Sequence, residues 1–569
     1  MLLVFLSFVV VIFLKNFANN FFCGANVRRR LKIEQVFEEA MRSSDRDELN
    51  YIVVNVNLAA VLSEAPTSTI RIFSSPLALS LMSTASKAVV IDALQKRGAR
   101  GVQQSIAEIL FSTKGRKLTK LKNIIDTGSD YHNLLKLMDD MTEGSLRFDL
   151  VDHLQREAGF AVDENGGKKF GTKTLSDVDD TLYCSSGKFP VGVDKRLPRR
   201  SPYPGVFKFL ECIDKVGSFA GAEYITVTVE PVQEEHLDRY SLGVEDDPES
   251  GGKEERAREP KVTRPNLERV ANSISLLKLR RGMDGLNNQS HVVRSKKTFL
   301  LSDPSSCNLV FLSARPHLYK ELTEQKSYRR FRKYVSEGLL HKMPTLLPGR
   351  LLPGTKAFLL TPILKSSSWR AVGETKFDSF RSYSALYPEY DYVFIGDNGQ
   401  GDLYAAEKMI KYCAESSKCE LRGVFIHQVQ PQEDELRHRE RGAEMDAEEE
   451  AGQGKTLGPD AFSSYVGAAI SAHTKDLLSS SDLYNVAIAA LSDFDDMRAL
   501  CPEHDFRVLA EQLNTDVAAV NAILDKDATA KYPQLGVRTV GHLETIMSFQ
   551  RGVGRGSGSM SSGLLSNVV

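Results

Sequence analysis

Four short stretches carry residue types whose order suits one kind of chemistry. The first is Asp177-Val178-Asp179-Asp180-Thr181, where the run TKTLSD ends. In a DxD spacing the first carboxylate can attack an electrophile such as phosphorus. The second, two residues on and past a turn, can protonate the leaving alkoxide and later deprotonate water. Asp177 suits the nucleophile and Asp179 the acid/base, although Asp and Thr are also common helix caps. The second stretch, Phe311-Leu312-Ser313-Ala314-Arg315-Pro316, places a hydroxyl at a strand end with an arginine two residues on. Ser313 can donate to a phosphoryl oxygen and Arg315 can grip one bidentately; a strand end before a Pro-started helix reads the same way. The third, Gly396-Asp397-Asn398-Gly399-Gln400-Gly401-Asp402, offers two carboxylates five apart and glycines that let backbone approach a ligand. Magnesium keeps several waters and takes few protein carboxylates, so Asp177 with Asp397 would suffice. The fourth is Lys376 in GETKFDSF. A lone lysine is ordinarily a solvated surface residue; its place between the second and third stretches is what singles it out.

Taken in order, these supply a nucleophile, a hydroxyl donor, a cation and a metal carboxylate, the parts that phosphoryl transfer requires. The elements that must position them are short apolar runs alternating with helical segments, which predicts an α/β domain with a parallel sheet. The predicted strands are TKTLSD, NLVFLSARP, YVFIGD and RGVFIHQV, with AFLLT around Phe358 as a further candidate. A carboxylate at the C-terminal edge of such a sheet faces the crevice where ligands bind.

Around this domain, expected over 166–432, the sequence changes texture. Residues 25–165 are expected to be mainly helical, as in KLTKLKNIIDTGSDYHNLLKLMDDM, with a turn at Asn165-Gly166-Gly167. Residues 233–297 are rich in charge, Gly and Pro, and read as a disordered insertion. A charged linker over 433–455 precedes a second helical region over 456–548 and a Gly/Ser-rich disordered tail over 549–569.

With 569 residues the chain is long enough for two or three folded units. Its formal net charge of -1 gives no global basic excess, so no nucleic-acid partner is expected and any anion site must be local. Seven scattered cysteines include no CxxC pair and fit reduced thiols in a cytosolic setting, with Cys413 and Cys419 expected to be unlinked. The hydrophobic start, residues 1–24, is followed by Arg28, Arg29 and Arg30. It reads as a membrane anchor with a cytosolic main body, as a cleaved signal, or as a mis-assigned start.

The four motifs together resemble the haloacid dehalogenase superfamily. The resemblance implies a Rossmann-like domain and an aspartyl-phosphate on Asp177, with Asp179 as acid/base and Ser313 and Lys376 on the phosphoryl group. It also implies Mg²⁺ on Asp177, Asp397 and Asp402 and on the main-chain carbonyl of Asp179. More narrowly, SDVDDTLYCS, YPGVFKFL, FLSARPHLY and YVFIGDNGQGDLYAAE resemble the catalytic domain of fungal actin-patch-associated phosphatidate phosphatases, over roughly residues 168–430 without the insertion. That resemblance implies hydrolysis of phosphatidate to diacylglycerol at a membrane surface. Two alternatives stand beside it: a phosphatase of a soluble phosphomonoester or phosphoprotein, and a catalytically silent lipid-binding scaffold. Thr172, Lys173 and Thr174 depart from the pattern, because a buried strand would ordinarily be more apolar there.

Overall fold

The structure, a computed structural model, describes residues 35–538 apart from a set of segments, the longest being 215–222, 230–294, 314–319, 348–366 and 430–457. The chain divides into two compact units. One comprises the residues up to Phe170 together with Ser218–Cys307 and Ser382–Glu389; the other comprises Gly171–Gly217, Asn308–Arg381 and everything from Tyr390 on.

The first unit is largely helical, as its periodicity predicts. Its longer helices are Arg46–Asn55, Thr84–Arg97, Gln103–Phe111, Gly115–Asp126 and Gly144–Glu164. Side chains cap the starts of three shorter helices, Leu58–Leu62, Pro76–Leu81 and Leu134–Asp140: Asn57 accepts from the Ala60 amide, Ser75 from Ala78 and Asn133 from Lys136. In Gly115–Asp126, Leu118, Leu121 and Ile125 recur at helical spacing and are buried, and Lys122 is buried among them.

The second unit is α/β and is built on strands numbered here along the whole chain. β1 is Thr172–Ser176. β2 (Glu223–Val229) and β3 (Ser295–Ser302) form an antiparallel pair that counts with the first unit. β4 is Leu309–Leu312, β5 Thr345–Leu347, β6 Asp391–Asp397, β7 Leu421–His427 and β8 Asp460–Phe462. The six strands of the second unit form one sheet in the order β5-β4-β1-β6-β7-β8, with every neighbour parallel. From β1 the chain builds outward through β4 and β5, then returns to the other side of β1 for β6, β7 and β8. That is the order of a doubly wound α/β sheet, and its reversal point lies between β1 and β6. The helix Asp402–Glu415 packs on β6 and β7, and Val206–Asp214 packs on β1.

Several expectations are corrected here. The polar strand β1 is nonetheless central, with all five residues buried, and the Lys173 ammonium lies 4.8 Å from the centre of the Tyr390 ring. β5 and β8, each three residues long, went unforeseen. The AFLLT candidate, the linker at 433–455, the tail at 549–569 and most of the insertion lie outside the described residues, while residues 295–297 belong to β3. Cys413 and Cys419 form a disulfide rather than remaining two unlinked thiols. The expected membrane anchoring is also corrected: among the described residues no helix is long and apolar enough to cross a membrane. The two 21-residue helices, Gly144–Glu164 and Ser480–Leu500, have the length but carry charges such as Arg147, Asp149, Asp482 and Asp495. Residues 1–24 lie outside the described residues.

Candidate active site

Asp177 follows β1 directly and Asp397 ends β6, so the two carboxylates stand side by side at the C-terminal edge, on the reversal point of the sheet. The register is fixed by the ladder, in which Ser176 pairs with Ile395 and the Asp177 amide donates to the Ile395 carbonyl at 2.9 Å. Asp402, the first residue of Asp402–Glu415, closes the group: ligand oxygens of Asp177, Asp397 and Asp402 lie within 4.8 Å of one another, and all three residues are buried.

Three glycines allow this convergence. A Cβ on Gly396 would sit 2.7 Å from Asp402 Oδ2. Gly401 has φ +85°, and a Cβ there would lie 2.2 Å from the Trp369 carbonyl; one on Gly373 would lie 2.5 Å from the Gly401 carbonyl. The loop after β6 therefore lies directly against the helix Ser367–Leu386, and that close approach brings Lys376 to the carboxylates. The Lys376 ammonium, 3% exposed, donates to Asp177 Oδ1 at 2.8 Å and to Asp402 Oδ1. The lysine that reads as a surface residue when taken alone is thus the buried centre of the site.

The electrostatics are lopsided. Burial pulls the Lys376 ammonium toward neutrality, but Asp177, Asp402 and Asp397 together outweigh it and hold its pKa above the ordinary lysine value. Burial first, then Asp402 and Asp177, pushes the Asp397 carboxyl well above its ordinary range. Burial also raises Asp402, against the pull of Lys376. Ionising all three carboxylates against one ammonium would put two formal negative charges in a buried space, which is what pushes Asp397 and Asp402 toward their protonated forms. Asp177 Oδ2 and Asp397 Oδ2 are buried with no hydrogen-bond partner, while Oδ1 of Asp397 accepts from the Gly399 amide at 2.7 Å. Orphaned carboxylate oxygens around a net negative charge suit a hard divalent cation with oxygen ligands.

The other expected residues are placed less closely. Asp179 is half-buried in the turn after β1, bridged to Tyr183, and its carboxylate is not one of the three grouped oxygens. Ser313 follows β4 at the same edge of the sheet, its amide bonded to the Leu347 carbonyl at 3.0 Å. Arg315 lies outside the described residues.

Sequence reasoning did not single out what holds the turn after Asp177. Asp180 is fully buried, and its carboxylate collects the Ser185, Val193 and Asp194 amides and the Ser185 hydroxyl. The Tyr465 hydroxyl donates to the Thr181 carbonyl at 2.6 Å, and His427, the last residue of β7, reaches the Asp180 carbonyl. The extra acid in DVDDT and the histidine ending VFIH were the available signals, and both are common in turns and strand ends. No protein-family model, curated protein or solved structure matches this chain, so the geometry of the site has to stand on its own.

Proposed function

We propose that this chain is a Mg²⁺-dependent phosphatase of the haloacid dehalogenase type that works through an aspartyl-phosphate on Asp177. The observation that carries the reading is the Asp177–Lys376–Asp402–Asp397 cluster at the sheet's reversal point, with two buried carboxylate oxygens unpartnered. Lys376 holds Asp177 by Oδ1, which leaves Oδ2 for attack. An Asp177 oxygen bonds to phosphorus, the bond to the leaving oxygen breaks, and Asp179 gives that oxygen its proton. Asp179 then takes a proton from water, which attacks the phosphorus and frees Asp177. Lys376, positive throughout, stabilises charge on the phosphoryl oxygens, with Ser313 as a hydroxyl donor and Arg315 as a further cation. Asp177, Asp397 and Asp402, with the Asp179 carbonyl, are the groups that would hold Mg²⁺, and the ion supplies charge neutralisation for the phosphoryl group.

Phosphatidate is the substrate proposed, on the likeness of FLSARPHLY and YVFIGDNGQGDLYAAE to the phosphatidate phosphatases. The test is phosphate release from phosphatidate in detergent micelles and from a panel of soluble phosphomonoesters, each with Mg²⁺ or EDTA. Mg²⁺-dependent release favouring phosphatidate is expected. Release from soluble esters alone would replace the substrate and keep the chemistry; no release from any ester by folded protein would overturn the reading.

A further inference from the structure

We propose that Asp180 and His427 are positioning residues for Asp179, locking the turn after β1 into the shape that presents the acid/base to the leaving group. The proposal rests on the reading of Asp179 as acid/base.

Asp179 is half-buried, in the turn that follows β1. The residue after it shapes that turn: Asp180 has φ +60°, a left-handed conformation that side-chain-bearing residues other than Asn and Asp rarely adopt. Two sets of bonds hold it there. On one side its carboxylate receives the Ser185 amide and hydroxyl and the Val193 and Asp194 amides. A Cβ on Gly192 would fall 2.2 Å from Asp180 Oδ2, so this approach needs glycine. On the other side His427 Nδ1 lies 3.0 Å from the Asp180 carbonyl, and its Nε2 lies 3.2 Å from Arg196 Nη2. A guanidinium only donates, so Nε2 accepts and Nδ1 carries the hydrogen given to Asp180.

The bonds close into a ring. Asp180 takes the Asp194 amide, both Asp194 carboxylate oxygens take Arg196, Arg196 donates to His427, and His427 donates back to Asp180. Tyr203 adds a hydroxyl to Asp194 and packs edge-on to the imidazole at 4.4 Å, while Phe462 stacks on it at 5.1 Å. Nothing in the ring touches the carboxylate cluster as a ligand, so its effect on the reaction passes through the turn. A general acid must stand within hydrogen-bond reach of its target, and a displacement of about 1 Å costs roughly 10²-fold in rate.

The experiment compares wild type, Asp180→Asn and His427→Phe on p-nitrophenyl phosphate and on an alkyl phosphate such as glycerol phosphate. Hydrogen exchange at the Val193 and Asp194 amides is followed in parallel. Asn tolerates the left-handed backbone, and Phe preserves the ring packing while deleting the donor. Expected for each variant is a roughly 10²-fold lower kcat on the alkyl ester with KM little changed. On p-nitrophenyl phosphate, whose leaving group needs no proton, a burst of about one nitrophenolate per enzyme should precede slow turnover, because only the water step still needs Asp179. His427→Gln, whose amide can donate to Asp180, should recover part of the rate. Wild-type kinetics in both variants would overturn the proposal; so would loss of the burst, which would place the damage on Asp177. A folded wild type inactive on every ester would remove the phosphatase reading by itself. Exchange then decides separately: unchanged protection of Val193 and Asp194 in Asp180→Asn overturns the locking role, and faster exchange there with the sheet unaffected sustains it.

Discussion

Lys122 in the helical unit and Lys376 in the α/β unit are both buried and meet opposite surroundings. Lys122 in the helical unit pairs with Glu389, donates to the Leu386 carbonyl at 2.8 Å and lies 4.8 Å from the centre of the Tyr387 ring. Thr119 donates to the same Glu389 oxygen. Burial wins: the Lys122 pKa is held below the ordinary value despite the attraction of Glu389 and, behind it, Asp126. Lys376 meets three carboxylates, and charge wins: its pKa rises. A near-balanced pair is what a packed interior tolerates, here with Glu389 Oε1 bonded twice and only Oε2 buried without a partner. An unbalanced group with orphaned oxygens is kept at a cost to stability, and that cost is intelligible if a further cation and a phosphoryl group complete it.

The largest expected effect breaks the catalytic side of this comparison. Asp177→Asn should remove turnover, by at least about 10⁴-fold in kcat/KM, with the far-ultraviolet circular dichroism unchanged. Lys376→Met should cost less, on the order of 10²–10³-fold, as for loss of one preorganised charge contact. Steady-state phosphate release on protein shown to be folded measures both. Full activity in Asp177→Asn would remove the nucleophile assignment.

The stability side should respond in the opposite sense at the two lysines. Lys122→Met strands Glu389 without its partner and should lower unfolding free energy by about 3–5 kcal/mol. The double variant Lys122→Met, Glu389→Gln should recover part of that, since the Thr119 hydroxyl can still donate to a glutamine carbonyl. Asp397→Asn, by contrast, relieves repulsion and should raise the melting temperature of the metal-free protein while abolishing activity. It should also abolish the Mg²⁺-induced gain, which for wild type amounts to about 2.7 kcal/mol at a hundred times Kd. Thermal melts with Mg²⁺ and with EDTA test this, and a metal-free Asp397→Asn protein less stable than wild type would contradict the repulsion argument.

The same contrast explains what could be read from sequence. Asp177, Asp397 and Asp402 were legible because each sits where a strand or a glycine loop ends, a local pattern that a linear reading detects. Lys376 gained meaning from its place in the order of motifs, although its burial depends on Gly373 and Gly401 meeting across the loop, which no local pattern encodes. Lys122 and Glu389 were not legible: KLTKLKN has an ordinary amphipathic period, and the partner arrives 267 residues later in sequence. β5 and β8 were missed because three residues cannot display a strand period. The His427 bond to Asp180 joins residues 247 apart, and its evidence is wholly tertiary.

Another buried lysine gives the smallest and most selective test. Lys87, in Thr84–Arg97, donates to the Ser112 hydroxyl at 3.0 Å and to the Thr113 hydroxyl at 3.1 Å. Burial, with Lys117 adding repulsion, lowers its pKa to about 8. Because the folded pKa is depressed below the unfolded value near 10.5, folding is penalised by the buried charge at neutral pH. The penalty lifts as pH rises from about 8 toward 10.5, where the folded form has lost its proton and the unfolded form still holds it. The helical unit should therefore gain stability over that window, measured by denaturant midpoint against pH. Lys87→Met should flatten that gain and raise stability at pH 7. An unchanged pH slope in Lys87→Met would show that the two hydroxyls alone solvate the ammonium, making a carboxylate unnecessary for burying a lysine in this protein.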